Sequence, residues 1–144
     1  MARRLILDTG VLIRVERGRA RLDRVIEDDD DIAIAAITAA ELLVGVELAD
    51  ESRRADRASF VEDVLATVPV EDYTLTVAEA HAKLLAHVRR TGRPRGAHDL
   101  VIAATAAATG RTVLTSDAGA ALGELPGVEA LVVSRAGGSR SRRS

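Results

Sequence analysis

Short apolar runs alternate with longer stretches of helical periodicity along most of this chain. The runs at residues 4–7, 32–37 and 112–115 are rich in Leu, Ile and Val, which predicts buried strands. Residues 128–133 give a further strand, and residues 68–70 a short edge segment, because a proline is tolerated at a sheet edge but not in a central ladder. Strands that alternate with helices favour a parallel sheet with helices on both faces. We therefore expect an α/β fold around a central parallel sheet of four to five short strands.

Helices are expected wherever apolar residues recur at spacings of three and four. The predicted segments are a helix after Asp8 that stops near Gly18, a short one over residues 22–26, one that opens at Thr38, and three over residues 53–66, 76–91 and 99–109. Right-handed crossovers through such helices bring the carboxyl ends of the parallel strands to one edge of the sheet. That edge is where open α/β folds bind their ligands.

The composition limits both the architecture and the chemistry. The 144 residues suit one domain, which we assign to residues 1–133, and aliphatic side chains must build its core because aromatic residues make up only 1% of the chain. The absence of cysteine excludes disulfides, a thiolate nucleophile and a sulfur-ligated zinc site. The formal charge of −2 means that any nucleic-acid binding must use local basic patches.

Several other segments have interpretations that involve no catalysis. The N-terminal apolar run is too short for a signal peptide or a membrane span, so we expect a cytoplasmic protein without membrane contact. Residues 134–144 consist of Gly, Ser and Arg with almost no apolar residue, which predicts a disordered basic tail. The acidic run 27–31 is interpreted as a solvated turn, and His81 and His87 as surface or boundary residues.

Four carboxylates stand out, although each has a structural explanation of its own. Asp8 and Asp117 both follow predicted strands and are well placed to cap the helices that come next. Glu41 lies three residues after Thr38, which is the spacing of a capping box. Asp99 begins a helix, where a carboxylate gains from the helix macrodipole. Taken one at a time, capping is the better interpretation of these residues.

Their shared location changes that balance. In a parallel sheet, residues that follow strands or begin the next helices converge at the carboxyl edge. Carboxylates crowded there would repel one another and raise one another's pKa values unless cations neutralised them. An all-oxygen set of ligands selects a hard cation such as Mg²⁺ or Mn²⁺. The sequence therefore predicts a metal site at this edge.

The same residues lie in segments that resemble a known family. The segments, spread over roughly residues 3–133, are residues 5–9, residues 38–42 with Gly45, residues 99–106 and residues 114–117. In order and separation they closely resemble the four signatures of PIN domains in VapC-type toxins. Gly10 is a departure, because members of the family often carry a bulkier residue at that position.

The resemblance implies a role for each of these positions. The catalytic, metal-binding residues that it implies are Asp8, Glu41, Asp99 and Asp117. We expect the first and third to ligate the metal directly, and the other two directly or through water. Thr115 resembles the hydroxyl residue that supports the pocket in the family, and Thr9 occupies a position usually held by a small polar residue.

A metal-dependent endoribonuclease is the function that the resemblance implies. It would hydrolyse RNA phosphodiesters with Mg²⁺ or Mn²⁺, leave a 5′-phosphate and a 3′-hydroxyl, form a homodimer, and be held inactive by a cognate antitoxin protein. The candidate contacts to RNA phosphates are Arg93, Arg95, Arg14 and Arg17.

Other functions remain open at this point. A non-catalytic PIN-like module would bind RNA or a partner without cutting, although a phosphate-binding surface gains nothing from four acidic residues. Residues 8–10 also match the Asp-Thr-Gly signature of aspartic proteases, but that fold is almost entirely β. A Rossmann-like nucleotide-binding domain is disfavoured because no glycine-rich phosphate turn follows the first strand.

Overall fold

The first predicted strand lies in the middle of the sheet. The computed structural model describes residues 2–133 and 140–143. Its strands are β1 (Arg4–Leu7), β2 (Asp31–Ala35), β3 (Val70–Glu71), β4 (Thr112–Thr115), β5 (Ala130–Val133) and β6 (Arg140–Arg143). They form one sheet in the order β3-β2-β1-β4-β5-β6, in which β1 to β5 are parallel and β6 runs antiparallel to β5. The predicted α/β fold with a central parallel sheet is confirmed.

Helices fill the connections between the strands. In the described part of the chain, the α-helices are α1 (Thr9–Glu16), α2 (Leu22–Val25), α3 (Ala36–Glu47), α4 (Glu51–Thr67), α5 (Leu75–Thr91) and α6 (Ala97–Thr109). Gly92 and Gly110 end α5 and α6 in the left-handed conformation, which a residue without Cβ adopts at little cost. None of these helices is long and apolar enough to span a lipid bilayer.

The two faces of the sheet are covered by different helices. Alternate residues of a strand point to opposite faces, and in β1 Ile6 packs on one side while Leu5 and Leu7 pack on the other. The Ile6 side is covered by α5 and α6, whereas the Leu5 side is covered by α1 to α4. The small alanine side chains of α6 allow this helix to lie directly over the sheet, with residues 102–106 buried.

The second strand and the helix after it differ from the prediction. The strand was predicted over residues 32–37 and the helix from Thr38, but β2 ends at Ala35 and α3 begins at Ala36. A continuous apolar run does not distinguish a buried strand from the first turn of a buried helix. Alanine also favours helix strongly, so the change of structure falls inside the run. Likewise α6 begins at Ala97, two residues before the predicted start.

The predicted tail pairs with the sheet over part of its length. Residues 140–143 form β6, whereas we expected disorder throughout residues 134–144. An outer strand presents unpaired N–H and C=O groups, and these can bind an additional segment whatever its side chains are. The prediction for residues 134–139 and 144 falls outside the described residues, and the division of the chain at residue 133 stays a prediction.

A buried arginine joins the strands at the amino edge of the sheet. Arg111 precedes β4, and its Nη1 donates to the backbone oxygens of Leu5 at 3.2 Å and Asp31 at 2.9 Å. It also pairs with the Asp31 carboxylate at 3.2 Å and with Glu71 at 3.9 Å. One guanidinium thus contacts residues of β1, β2 and β3. The opposite edge of the sheet is left for the functional site.

Replacement of Arg111 is expected to destabilise the fold. Arg111→Met leaves two backbone carbonyls near the guanidinium without this donor, so the free energy of unfolding should fall by about 2–3 kcal/mol in urea titrations. Arg4→Met is the matched control, because Arg4 pairs with the same Asp31 in a half-exposed contact and should cost much less. Equal losses in the two variants would contradict a structural role specific to Arg111.

Candidate active site

The predicted residues converge at the carboxyl ends of β1 and β4, two parallel neighbours whose following strands lie on opposite sides of the pair. β1 is followed by β2 on one side, while β4 lies on its other side and is followed by β5. This change of direction opens a crevice at the carboxyl ends of the two strands. Asp8 directly follows β1, and Thr115 is the last residue of β4.

Asp8 is fixed in this crevice by donors from two parts of the chain. The residue is only 7% exposed. Its Oδ1 accepts a hydrogen bond from the N–H of Val11 at 3.0 Å, so it caps α1 as predicted. Its Oδ2 accepts a hydrogen bond from the hydroxyl of Thr115. The Thr115 hydroxyl oxygen in turn accepts from the N–H of Asp117 at 3.0 Å. Each carboxylate oxygen still has a lone pair available for a further ligand.

Asp117 also caps a helix and lies at this edge of the sheet. Its Oδ1 accepts from the N–H of Ala120 at 3.2 Å and begins the short 3-10 helix Ala118–Ala120. The side chain is exposed. The capping predicted for Asp8 and Asp117 is therefore present, and it leaves both residues beside the crevice.

Glu41 reaches the site from α3 through contacts that are distant in sequence. Its Oε1 accepts from the hydroxyl of Thr9 at 2.7 Å, and its Oε2 lies 3.1 Å from Nδ1 of His98. The predicted capping box with Thr38 is wrong, because α3 starts two residues earlier and Thr38 is buried within it. The Thr38 hydroxyl lies 3.3 Å from that of Thr9.

The carboxylates at this edge influence one another's ionisation. Burial raises the pKa of Asp8, the hydrogen bonds from Thr115 and Val11 lower it, and the charges of Asp99 and Asp117 raise it again, with a net rise. These mutual effects require the carboxylates to lie near one another.

Asp99 lies in the first turn of α6, and its pKa is raised as well. Burial raises its pKa most, the charges of Asp117 and Glu41 raise it further, and His98 lowers it. Within the described chain, neither Asp8 nor Asp99 nor Asp117 forms an ion pair with a basic side chain. The site therefore holds negative charge that the described side chains of the protein do not pair.

The donor set at this edge fits a hard divalent cation. All four predicted residues offer carboxylate oxygen, which Mg²⁺ and Mn²⁺ prefer. Such an ion would neutralise the charge of Asp8, Asp99 and Asp117. In the described chain, the only group of three or more acidic residues with oxygens within 4.8 Å of one another is Glu27, Asp29 and Asp30, so no three of the site carboxylates lie that close together.

That tighter acidic group lies elsewhere in the molecule. It precedes β2 and so stands at the amino edge of the sheet, away from the crevice. Arg3 Nε donates to Asp30 Oδ1 at 2.9 Å, and the N–H of Glu27 donates to Asp30 Oδ2 at 2.7 Å. The predicted turn is present, but the Asp30 side chain is buried against Arg3 rather than solvated, and Asp31 belongs to β2.

The four arginines predicted to contact RNA phosphates differ in the contacts that they make within the protein. Arg95 is turned inward, since its side chain is 14% exposed, donates to the carbonyl oxygen of Ala120 and lies 3.8 Å from Glu124. Arg14 donates to the carbonyl of Arg19 at 3.5 Å. Arg93 and Arg17 are exposed.

Two residues near the site had no assigned role in the sequence. His98 lies beside Glu41, and its position next to Asp99 in the first turn of α6 was the only available signal. Gly10 lies where a Cβ would stand 3.1 Å from the Ser116 hydroxyl and 3.4 Å from Asp8 Oδ1. Glycine at this position therefore keeps the space beside the Asp8 carboxylate open.

Removal of the Asp99 charge is expected to stabilise the metal-free protein at neutral and higher pH. The raised pKa of Asp99 means that the unfolded chain loses this proton more readily, so stability falls as pH rises from the ordinary Asp value through the raised one. In thermal melts with EDTA, Asp99→Asn should have a higher Tm than the parent at about pH 8, and the difference should vanish near pH 3.

Glu62→Gln provides the control for this experiment, because Glu62 is an exposed carboxylate on α4. Its melting temperature should follow that of the parent at every pH. A lower Tm for Asp99→Asn at pH 8 would show that the Asp99 carboxylate stabilises the fold, contrary to the electrostatics described above.

Comparison with known proteins agrees with this geometry. The family model described as PIN domain matches residues 5–122. Ribonuclease VapC5 of Mycobacterium tuberculosis is 39% identical over 78% of this chain and 82% of its own length. Ribonuclease VapC of Rickettsia bellii is 31% identical over 77% of this chain and 83% of its own.

A solved structure extends the likeness to three dimensions. The VapBC-5 structure from Mycobacterium tuberculosis, a member of the VapBC family of toxin-antitoxin systems, superposes with a TM-score of 0.75 at 34% identity. The match covers 90% of this chain and 98% of that one. The family model spans the crevice and its carboxylates, and the two relatives are both VapC ribonucleases. The chain therefore belongs to the PIN-domain family and, within it, to the VapC group.

Proposed function

We propose that this chain is an endoribonuclease that hydrolyses RNA phosphodiester bonds with Mg²⁺ or Mn²⁺ bound among its four site carboxylates. The observation that carries the proposal is the nearly buried Asp8 carboxylate, which stands beside other carboxylates without a basic partner among the described residues. Such an arrangement is unfavourable unless a cation completes it. The names of the two relatives, both ribonucleases, support RNA as the substrate.

The proposed ligands are the four residues assigned from the sequence. Asp8 and Asp99 would bind the ion directly, and Glu41 and Asp117 would bind it directly or through water. When bound, the divalent cation would lower the pKa of a water molecule and stabilise negative charge on the phosphate.

The protein's own residues would hold the ligands in place. The Thr115 hydroxyl and the Val11 N–H orient the Asp8 carboxylate, and the Thr9 hydroxyl orients that of Glu41. Residues that hold metal ligands in this way commonly affect metal affinity or activity by about 10- to 100-fold. Thr9 and Thr115 are therefore proposed as positioning residues.

Phosphate contacts are proposed for arginines around the crevice. Arg93 is the best of the predicted set, because it is exposed and lies in the loop that leads into α6. Arg17 is also exposed; it caps the C-terminus of α1 and lines the cleft beside Glu41. Arg95 would have to break its contacts with Ala120 and Glu124 before it could bind RNA. We therefore assign it a structural role in the turn at Ala120.

We further propose that the chain is the toxin of a toxin-antitoxin pair and forms a homodimer. The similar solved structure comes from a toxin-antitoxin system, which supports an antitoxin partner. A cleft of about 220 Å³ opens beside Glu41 and is lined by both apolar and charged residues, including Leu42, Arg17 and Arg57. Val44 on α3 is 52% exposed and Leu48 at its C-cap is 80% exposed, and this apolar exposure supports the binding of a second protein against this helix.

The direct test of the proposed activity is Asp8→Asn. This variant keeps a side chain of the same size and an oxygen that accepts from the Val11 N–H, but removes the charge that would hold the cation. With Mn²⁺ or Mg²⁺, the parent should cut structured RNA, EDTA should stop the cutting, and Asp8→Asn should lose roughly 100-fold or more in rate. Gel electrophoresis of end-labelled RNA measures the rate.

Glu62→Gln, which removes an exposed charge on α4, should cut at the parental rate. An Asp8→Asn protein that folds and cuts as fast as the parent would contradict the assignment. RNA binding without cutting under any divalent cation would identify the non-catalytic module instead.

A further inference from the structure

Positive charge is concentrated in the stretch of chain that leads to Asp99. Residues 80–98 contain four arginines, one lysine, all three histidines of the chain and no acidic residue. Since this stretch has a formal charge of +5 in a chain of −2, the remaining residues together have −7. A local concentration of cations on an acidic protein attracts a polyanion to that place.

Part of this stretch lines a cleft of about 460 Å³, which we call the α5 cleft. It is formed by the C-terminal turns of α5, the loop before α6 and a short later segment. The residues that line it are His87, Val88, Thr91, Arg93, Arg95, Glu124 and Leu125. Its volume and its mixture of apolar side chains with a few polar groups are typical of sites that bind small ligands.

Arg95 joins the α5 cleft to the candidate active site. Its guanidinium donates to the carbonyl of Ala120, and the N–H of Ala120 donates to the Asp117 carboxylate at 3.2 Å. A Cβ on Gly96, the next residue, would stand 3.0 Å from Asp99 Oδ2. Four residues span at most about 14 Å, so the Cα atoms of Arg95 and Asp99 lie within that distance. The α5 cleft therefore borders two of the site carboxylates.

The basic groups of the α5 cleft differ in whether the protein already pairs them. Arg95 lies 3.8 Å from Glu124 and has a structural role. Among the described residues, neither Arg93 nor His87 forms an ion pair with an acidic side chain. Arg93 is exposed and His87 is half-buried. One guanidinium and one imidazole ring of the cleft are thus available to an anionic ligand.

We propose that the α5 cleft binds one nucleotide of a single-stranded RNA substrate, with a backbone phosphate held by Arg93 and His87. The sugar or base of this nucleotide would lie against Val88 and Leu125. The inference rests on the proposed ribonuclease function and adds a substrate subsite beside its carboxylates. A guanidinium offers a phosphate two parallel N–H donors, and unpaired RNA bases are the usual targets of recognition by proteins. The subsite would hold a phosphate that neighbours the scissile one.

A diffuse attraction of RNA to the basic stretch makes a different prediction. Arg89 and Arg90 are also exposed, in the last turn of α5, but they do not line the α5 cleft. Under diffuse attraction every exposed cation of the stretch contributes about equally. A phosphate bound in the cleft instead makes the loss of Arg93 much more costly than the loss of Arg90.

The first test is a salt titration of RNA binding by the full chain. The probe is a fluorescein-labelled single-stranded RNA, followed by anisotropy in EDTA between about 50 and 200 mM KCl. In Arg93→Gln, affinity at about 100 mM KCl should fall about tenfold, because a charge-assisted contact to phosphate is lost. The slope of log Kd against log salt should decrease by about 0.7, the value for one phosphate contact of a single strand.

The matched control removes the same charge three residues earlier. Arg90→Gln changes an exposed arginine of α5 outside the cleft and should keep nearly the parental affinity and slope. Equal losses in Arg93→Gln and Arg90→Gln, or parental binding by both, would overturn the inference.

The histidines of α5 locate the bound RNA independently of affinity. His87 lines the cleft, whereas the ring of His81 packs edge-on against Tyr73 with 5.9 Å between centroids. In NMR spectra recorded in EDTA, saturating RNA should shift the ring resonances of His87 and leave those of His81 unchanged. In Arg93→Gln the shift of His87 at the same RNA concentration should be much smaller.

An unshifted His87 in the RNA-bound parent, or a shift of the same size in Arg93→Gln, would contradict the subsite. Both experiments measure binding without divalent metal and so need no catalysis. Their failure would reject the subsite, while the cleavage assay of the Asp8→Asn protein would remain an independent test of the proposed function.

Discussion

The hydrogen bonds that hold the Asp8 carboxylate at the end of the central strand organise the whole functional edge. One oxygen of Asp8 caps α1, and the other accepts from Thr115 at the end of β4, whose hydroxyl oxygen accepts from the Asp117 N–H. The start of a helix, the ends of two parallel strands and the next acidic residue are thereby joined around one carboxylate. A side chain so constrained loses little entropy when it binds a ligand.

Capping and catalysis are compatible at this edge for a simple chemical reason. A carboxylate oxygen has two lone pairs, so it can accept from a backbone N–H and still bind a cation. The electrostatic cost falls on stability, because burial and mutual repulsion raise the pKa values of Asp8 and Asp99. Stability lost at such a site is a common consequence of holding charges ready for a ligand.

The parts of this structure that follow from local patterns were predictable from the sequence. β1 and β4 occupy the predicted residues, since short aliphatic runs with turn residues at their ends leave few alternatives. The caps at Asp8 and Asp117 follow from spacings of three residues. The PIN-domain resemblance is confirmed by the family model and the relatives.

The contacts that depend on tertiary structure were not predictable. Thr9 and Glu41 are separated by 32 residues, and a plausible local cap competed with their true contact. His98 meets Glu41 only because α3 and α6 pack at the same edge. The inward orientation of Arg95 depends on the later turn at Ala120. The pairing of β6 depends on the open side of β5. None of these leaves a periodic signal in the sequence.

Calorimetric titration of Mn²⁺ into EDTA-stripped protein at neutral pH tests the central claim most directly, because it measures the cation site without reference to any substrate. The account predicts saturable binding to the parent and an affinity at least about tenfold lower in Asp8→Asn, since one charged ligand of the crevice is lost. No binding to the parent, or equal affinity in the two proteins, would contradict the account.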